Sequence, residues 1–326
     1  MELLVAISIL VILMAVGARM MNFSVEDRRT REAARAINVY VASARNRAME
    51  TGRPCGVMLR RLESQPLCVV GMEQVEVPPP YAGDTVQAAT RLQLTSGGVA
   101  ARFGVGDFSD GLVRLHDLMQ LNHQGPLYEI TQGPDSNSDG FLDFNDKDAV
   151  DKDGDGFIDD YFFILQVDLR QGQMLPWPSA PASSPAMPYQ IIRQPTKSAA
   201  AGLQLPVRAV IDLQFSGTDE DSIGAVSDQP VYIMFSPNGS LERFYHPGHG
   251  GGVHPGTEPI YLLVGKQERV PAGSAEDGLA NWQDVKNLWV TLNPQTGLVT
   301  TTEVAKGANH VESRSNAREG QSMGGR

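Results

Sequence analysis

The N-terminal apolar run restricts the possible folds of this chain most. The sixteen residues from Leu3 to Ala18 carry no charge, and Ser8 is their one polar side chain. At about 1.5 Å per residue, a helix over this run is about 24 Å long, slightly short of a hydrocarbon core of about 30 Å. No Ala-x-Ala site closes the run and no basic residue precedes it, which disfavours a secretory signal peptide. We therefore expect residues 1–21 to form a transmembrane helix.

A helical pattern continues directly after the apolar run. Ser24-Val-Glu-Asp27 is a near capping box. Gly52 and then Pro54 supply a helix stop. We expect residues 22–52 to form an amphipathic helix that continues into a head domain. A coiled-coil dimer is a competing use of its apolar stripe, but the small side chains favour packing on a sheet or on crowded helices. The stripe consists of Ala34, Ile37, Val41, Ala44 and Ala48.

Beyond Pro54 the chain changes to short β-type runs separated by Gly, Pro, Asn and Asp turns. This pattern predicts a β-rich head over 53–305, with a Pro-rich loop over 173–189 and a disordered tail over 306–326. A long helix followed by antiparallel strands predicts an α+β fold. We expect the first half of the N-terminal helix to lie in a membrane and the second half to pack on an antiparallel sheet. The predicted strands are 55–61, 67–77, 161–169, 203–215, 231–235, 241–245, 260–264, 288–292 and 299–304.

The net charge of −11 is concentrated in one segment. The 26 residues from Asp135 to Asp160 hold ten Asp and two Lys, a net of −8, which leaves −3 for the other 300 residues. This distribution disfavours a general nucleic-acid binder. It also assigns the acidic charge to one local insertion, over 133–160.

Two similar motifs, sixteen residues apart, lie in the acidic insertion. Both fit D-x-[DN]-x-[DN]-G-x-[IL]-D, the first from Asp135 and the second from Asp151. Calcium takes six to eight oxygen ligands, and alternate side chains converge on one ion where the backbone turns sharply at a glycine. An acidic, solvated surface loop is the alternative. We favour structural calcium, because ten unneutralised Asp would repel each other. The predicted oxygen ligands are Asp135, Asn137, Asp139, Phe141, Asp143, Asp146, Asp151, Asp153, Asp155, Phe157, Asp159 and Asp160, with Phe141 and Phe157 acting through their carbonyls.

Other candidate sites carry weaker signals. Three histidines lie within nine residues, from His246 to His254, but the glycines between them favour a flexible surface loop over a zinc or copper site. Cys55 and Cys68 are too few for a disulfide scaffold, and the expected hairpin register does not bring them together. No motif for a catalytic nucleophile or acid–base pair is present, so we predict no enzymatic activity.

Two stretches of the first sixty residues carry a family resemblance. ELLVAISILVILMAVG closely resembles the N-terminal methylation segment of type IV pilins and type II secretion pseudopilins. TREAARAINVYVASARNRAMETGRPCGVML resembles the corresponding region of minor pseudopilin H. In this alignment Glu2 matches the family's characteristic glutamate, and Met1 takes the apolar position before it. The basic leader and its cleavage glycine would then lie upstream of Met1.

The resemblance implies a pilin-like fold, in which residues 1–21 are the filament-core helix, together with a function and a location. It implies a structural subunit, not an enzyme, that assembles into a type II secretion or type IV pilus-type filament through its N-terminal helix. Glu2 would neutralise the terminal amine of a neighbouring subunit. The implied partners are other pseudopilins or pilins, an inner-membrane assembly platform and secreted cargo, with no nucleic acid. The implied location is the bacterial inner membrane, single-pass, with the head in the periplasm.

Two other functions remain open from the sequence. One is a membrane-anchored, extracytoplasmic calcium-binding or adhesive protein that is exported by the pilin route. The other is an extracytoplasmic enzyme that uses the histidines between His246 and His254. Incorporation into a filament would favour the structural subunit over both.

Overall fold

The computed structural model describes most of the chain outside the acidic insertion. The described residues are 2–95, 98–108, 111–133, 152, 154, 156–166, 174, 183–219, 221–224, 230–246 and 252–322. The elements in chain order are α1 (Glu2–Thr51), β1 (Cys55–Leu62), β2 (Gln65–Glu76), β3 (Thr90–Thr95), β4 (Gly98–Gly104), β5 (Leu118–Leu121), β6 (Leu127–Gln132), β7 (Phe157–Gln166), β8 (Tyr189–Ile192), β9 (Thr196–Lys197), β10 (Leu203–Gln204), β11 (Ala209–Gly217), β12 (Val231–Phe235), β13 (Leu241–His246), β14 (Gly252–Pro255), β15 (Ile260–Lys266), β16 (Leu288–Leu292), β17 (Val299–Glu303) and α2 (His310–Ser322).

The chain divides into two compact units. Unit 1 comprises 1–76 and 197–326, and unit 2 comprises the intervening 77–196. Unit 2 is therefore inserted between two strands of unit 1. This division differs from the single head domain expected over 53–305.

Unit 1 consists of α1, α2 and an eleven-stranded antiparallel sheet. The sheet has the order β14-β13-β12-β1-β2-β11-β15-β16-β17, and the short β9 and β10 both pair with β2. The predicted stripe of α1 packs on this sheet, and all five of its side chains are fully buried there. The helix ends as predicted, because Gly52 adopts a φ of +64° and its N–H donates to the Ala48 carbonyl at 3.1 Å.

Unit 2 is a six-stranded antiparallel sheet with the order β3-β4-β7-β6-β5-β8. Its two edges meet, since Thr90 of β3 exchanges both backbone hydrogen bonds with Met187, just before β8, at 2.9 and 3.0 Å. The sheet therefore closes around its own core. Aromatic side chains fill this core, with the ring of Phe103 between 4.9 and 5.0 Å from the rings of Phe108, Phe163 and Tyr189.

The predicted fold class, α+β with one head sheet, is wrong. Among the described residues, the structure is mostly β, with two large antiparallel sheets. Most strands of unit 2 other than β7 were not predicted, because they are short or alternate with polar residues. β3 (TRLQLT) and β5 (LMQL) are examples. Such strands bury one face and resemble loops in composition.

Both cysteines are free and buried, in agreement with the expectation that they are not bridged. Cys55 belongs to the core cluster under α1, whereas Cys68 packs with Val210 and Val270 in a separate cluster. Strand β1 pairs Cys55 with Glu76 and not with Cys68. The two thiols therefore have no route to a disulfide in this register.

The segment 306–326, expected as a disordered tail, carries helix α2. One face of α2 buries Ser313, Arg314 and Ala317 against the sheet of unit 1. Ser313 Oγ accepts a hydrogen bond from the Trp289 indole N–H at 3.0 Å. The polar composition of the segment concealed this contact, because the groups that hold the helix are mainly hydrogen-bonding groups and not apolar ones.

Candidate functional site

Helix α1 is continuous over 50 residues, but its two halves have different surroundings. From Thr30 to Ala48 one face is buried against the sheet of unit 1. Near the N-terminus, the described apolar side chains are instead exposed to solvent: Ile7 at 52%, Ile9 at 54%, Leu10 at 54% and Met14 at 66%. The N-terminal half is therefore a candidate docking surface. Glu2 is the first residue of α1, and its side chain lies outside the described residues.

The predicted membrane span and inner-membrane location are wrong by the present structure. Among the described residues, no helix combines the length and the apolar character that a span requires. The uncharged run of α1 has only sixteen residues, about 24 Å, and Arg19 follows it directly.

A group of charged side chains marks the point where α1 begins to contact the sheet. Lys266 is 8% exposed, and its Nζ lies 4.0 Å from Glu26, 3.8 Å from Asp27 and 3.2 Å from Asp284. Lys286 adds a second contact to Asp27, at 2.7 Å. The first turns of the buried part of α1 are therefore fixed to unit 1 by opposite charges as well as by apolar packing.

Most of the predicted calcium ligands lie outside the described residues. This group comprises Asp135, Asn137, Asp139, Phe141, Asp143, Asp146, Asp151, Asp153 and Asp155. Asp159 and Asp160 lie in β7, but their side chains are not described.

Two described residues of the second calcium motif are informative. Gly156, at the sixth position, has a φ of +86°, the left-handed conformation that a sharp turn requires there. Phe157 begins β7, and its buried ring stacks under the Arg91 guanidinium at 4.4 Å. This ring anchors the end of the loop to unit 2. Its carbonyl was the predicted ligand, and the structure does not test that role.

Two of the three histidines of the weak metal candidate come together in unit 1. His246 ends β13 and His254 lies on the neighbouring β14, one diagonal step away in the ladder. Their rings stack at 4.4 Å with an interplanar angle of 16°. His249 lies outside the described residues.

The histidine pair borders a pocket of about 100 Å³. Two acidic residues, Asp221 and Glu258, also line it, together with Thr218. Burial, and secondarily the neighbouring His254, lowers the pKa of His246 to about 4, so this imidazole is neutral at pH 7. No sequence pattern links Asp221 to the histidines, because it lies far from them in the chain. Only the fold brings it to the pocket.

Arg314 of α2 fixes one wall of this pocket. Its guanidinium is 1% exposed and donates to the carbonyls of Thr218 at 2.6 Å and Asp221 at 3.2 Å. It also donates to the Phe215 carbonyl at 2.5 Å. Burial lowers the pKa of Arg314 to about 10, so the side chain remains charged at neutral pH. The C-terminal helix therefore holds the loop after β11 in place.

A buried carboxylate lies on another part of the same sheet. Asp212 is fully buried, and its Oδ2 accepts a hydrogen bond from Asn281 Nδ2 at 2.9 Å. Burial raises the pKa of Asp212 to about 6. Asn281 also accepts the N–H of Lys266 at 2.9 Å, so these groups connect β11, β15 and the segment after β15. We assign this network a structural role.

Within the described part of the chain, no group of three or more His, Cys, Asp and Glu side chains is placed to hold a metal ion. Comparison with known proteins gives no match: no family model, no curated protein and no solved structure is significantly similar to the chain.

Proposed function

We propose that this chain is a non-enzymatic structural subunit that assembles into a filament of the type II secretion or type IV pilus class. The N-terminal half of α1 is the assembly element. The observation that supports this most is the contrast between the two halves of one helix, the second buried against its own sheet and the first with exposed apolar side chains.

The physical reason for assembly is the cost of apolar side chains in water. Ile9, Leu10 and Met14 are each more than half exposed. Packing them against equivalent helices of neighbouring subunits removes this apolar area from solvent, which favours association. The second half of the same helix packs on the sheet of unit 1. Assembly through the first half would therefore attach unit 1 to the filament.

The partners of the N-terminal half of α1 are the N-terminal helices of other pilin-like subunits. Glu2 is the acidic group available near its tip, and a cationic terminal amine of a neighbour would offset the cost of burying its carboxylate. The surfaces of the two units remain available for secreted cargo.

A second function concerns the acidic insertion, which we propose binds structural calcium. The positive φ of Gly156 supports this, since the turn at the sixth loop position is the one that a calcium loop needs. The insertion connects β6 and β7 of unit 2, so a bound ion would fix a long excursion between two adjacent strands of that sheet.

The assembly proposal is tested by making one exposed leucine polar in either of two places. Leu10 and Leu298 are equally exposed, at 54% and 55%, but only Leu10 lies in the N-terminal half of α1. We expect Leu10→Asn to abolish recovery of the chain in sheared filament fractions and Leu298→Asn to leave it unchanged. Equal recovery of both variants and the parent chain would contradict the proposal.

A further inference from the structure

We propose that His246 and His254 bind a divalent transition-metal ion of the Zn²⁺ class at the edge of the unit 1 sheet. The two imidazoles lie on adjacent strands with their ring centroids 4.4 Å apart. Imidazole nitrogen is a preferred ligand of Zn²⁺, Cu²⁺ and Ni²⁺.

The state of each imidazole favours this role. His246 is 3% exposed, and its ring lies against that of His254. Nε2 of His254 is buried, and among the described residues no hydrogen-bond partner lies within reach of it. A buried ring nitrogen without a partner carries a desolvation cost, which a metal ion would remove.

The pocket beside the rings supplies space and negative charge. Its volume of about 100 Å³ admits an ion with several water molecules. The carboxylate of Asp221 acts on His246 through its charge, and Glu258 also lines the pocket. Both residues are acidic, which favours a cation in the pocket.

The rings are nearly parallel, so their nitrogens do not yet point at one position. Binding therefore requires the half-buried His254 ring to turn toward the pocket, while Arg314 holds the Asp221 carbonyl in place. With two imidazoles and water as ligands, the site is open, and we expect weaker binding than at a closed structural zinc centre. The bound ion would link the edge strand β14 to β13.

The test uses the full chain and Zn²⁺ as the probe. Isothermal titration calorimetry in calcium-containing buffer should give one Zn²⁺ site, and His254→Gln should weaken it by about tenfold or more. His246→Gln should do the same. His310→Gln is the matched control, because His310 is a partly buried histidine of α2 outside the pocket. Absence of binding at millimolar Zn²⁺, or equal binding by both pocket variants and the parent, would overturn the proposal.

A spectroscopic readout separates ligation from a purely structural role. With Cu²⁺ as the probe, electron paramagnetic resonance should show coupling to two imidazole nitrogens in the parent chain and to one in His254→Gln. The Asp139→Ala, Asp155→Ala double variant should keep both couplings, because the acidic insertion is a separate site. Coupling that His254→Gln leaves unchanged would place the metal elsewhere and contradict the assignment.

Discussion

Lys266 of β15 and Asp27 of α1 are in ionic contact, with Nζ 3.8 Å from Oδ1, although they are far apart in sequence. The lysine is almost completely buried and also contacts Asp284 at 3.2 Å. This contact fixes the place where the exposed half of α1 gives way to the half that packs on the sheet. It therefore connects the N-terminal half of α1, the proposed assembly element, to the sheet of unit 1.

Removal of the buried lysine should destabilise unit 1. Lys266→Met leaves Asp27 and Asp284 without this counter-charge, and we expect a loss of about 3 kcal/mol in the free energy of unfolding. Urea denaturation followed by tryptophan fluorescence measures it, since Trp282 and Trp289 lie in unit 1. Arg208→Met is the control. Arg208 is 61% exposed in its pair with Glu26, so its loss should cost at most about 1 kcal/mol. Equal losses of unfolding free energy in Lys266→Met and Arg208→Met would contradict the role of Lys266.

Arg314 should be required for docking of α2. Its guanidinium donates to the Phe215 carbonyl in β11 and to two carbonyls of the loop after β11, so Arg314→Lys cannot replace it with a single ammonium group. We expect both Arg314→Lys and Arg314→Met to lower the stability of unit 1 by about 2–3 kcal/mol and to expose the α2 amides to hydrogen exchange. Arg318→Lys, at an exposed pair with Asp219, should have little effect. If Arg314→Lys were as stable as the parent chain, a single positive charge would be sufficient, and the prediction would be contradicted.

The buried carboxylate of Asp212 should make unit 1 less stable as the pH rises. Its pKa is raised from 3.8 to about 6 in the folded state, so between these values the folded chain binds the proton more tightly than the unfolded chain. The free energy of unfolding should then fall by up to about 3 kcal/mol as the pH rises from 4 to 7. Asp212→Asn should reduce the slope of the unfolding free energy against pH. Asp277→Asn, which changes a more exposed carboxylate, should not reduce it. An unchanged slope in Asp212→Asn would refute the assignment.

Calcium removal should destabilise unit 2. We expect a chelator to lower the melting temperature of the chain, because the ion would hold the insertion between β6 and β7. The Asp139→Ala, Asp155→Ala double variant should melt at the lower temperature with or without chelator. Glu63→Ala with Glu276→Ala removes two exposed carboxylates of unit 1 and should retain the calcium effect. Identical melting of the parent chain in both conditions would count against the calcium sites.

The sequence predicts unit 1 better than unit 2, and the reason is physical. Strands β12 and β16 are fully buried runs of five residues, VYIMF and LWVTL, and both were predicted with their observed ends. The stripe from Ala34 to Ala48 was also confirmed, because helical periodicity is a local signal. The strands of unit 2 are short and polar on one face, so only their closure around a common core identifies them.

The residues of the candidate sites also differ in whether the sequence indicates them. The apolar start of α1 and the histidine cluster are visible in sequence, since each lies in one continuous segment. The sequence does not indicate Asp221 or Arg314, because only the fold brings Asp221 to the histidine pocket and Arg314 to the carbonyls of Thr218 and Asp221. Lys266 was missed for the same reason, as its three carboxylates come from α1 and from the segment before β16.

Crosslinking at the N-terminal half of α1 tests the assembly proposal most directly. In cells that make the chain, Met14→Cys and Val207→Cys each add one exposed thiol, at positions 66% and 75% exposed, while Cys55 and Cys68 stay buried. With a bismaleimide, we expect Met14→Cys to give adducts well above 35.3 kDa and Val207→Cys to remain at the monomer mass. A Met14→Cys chain that stays monomeric, or equal crosslinking at both positions, would contradict assembly through this helix.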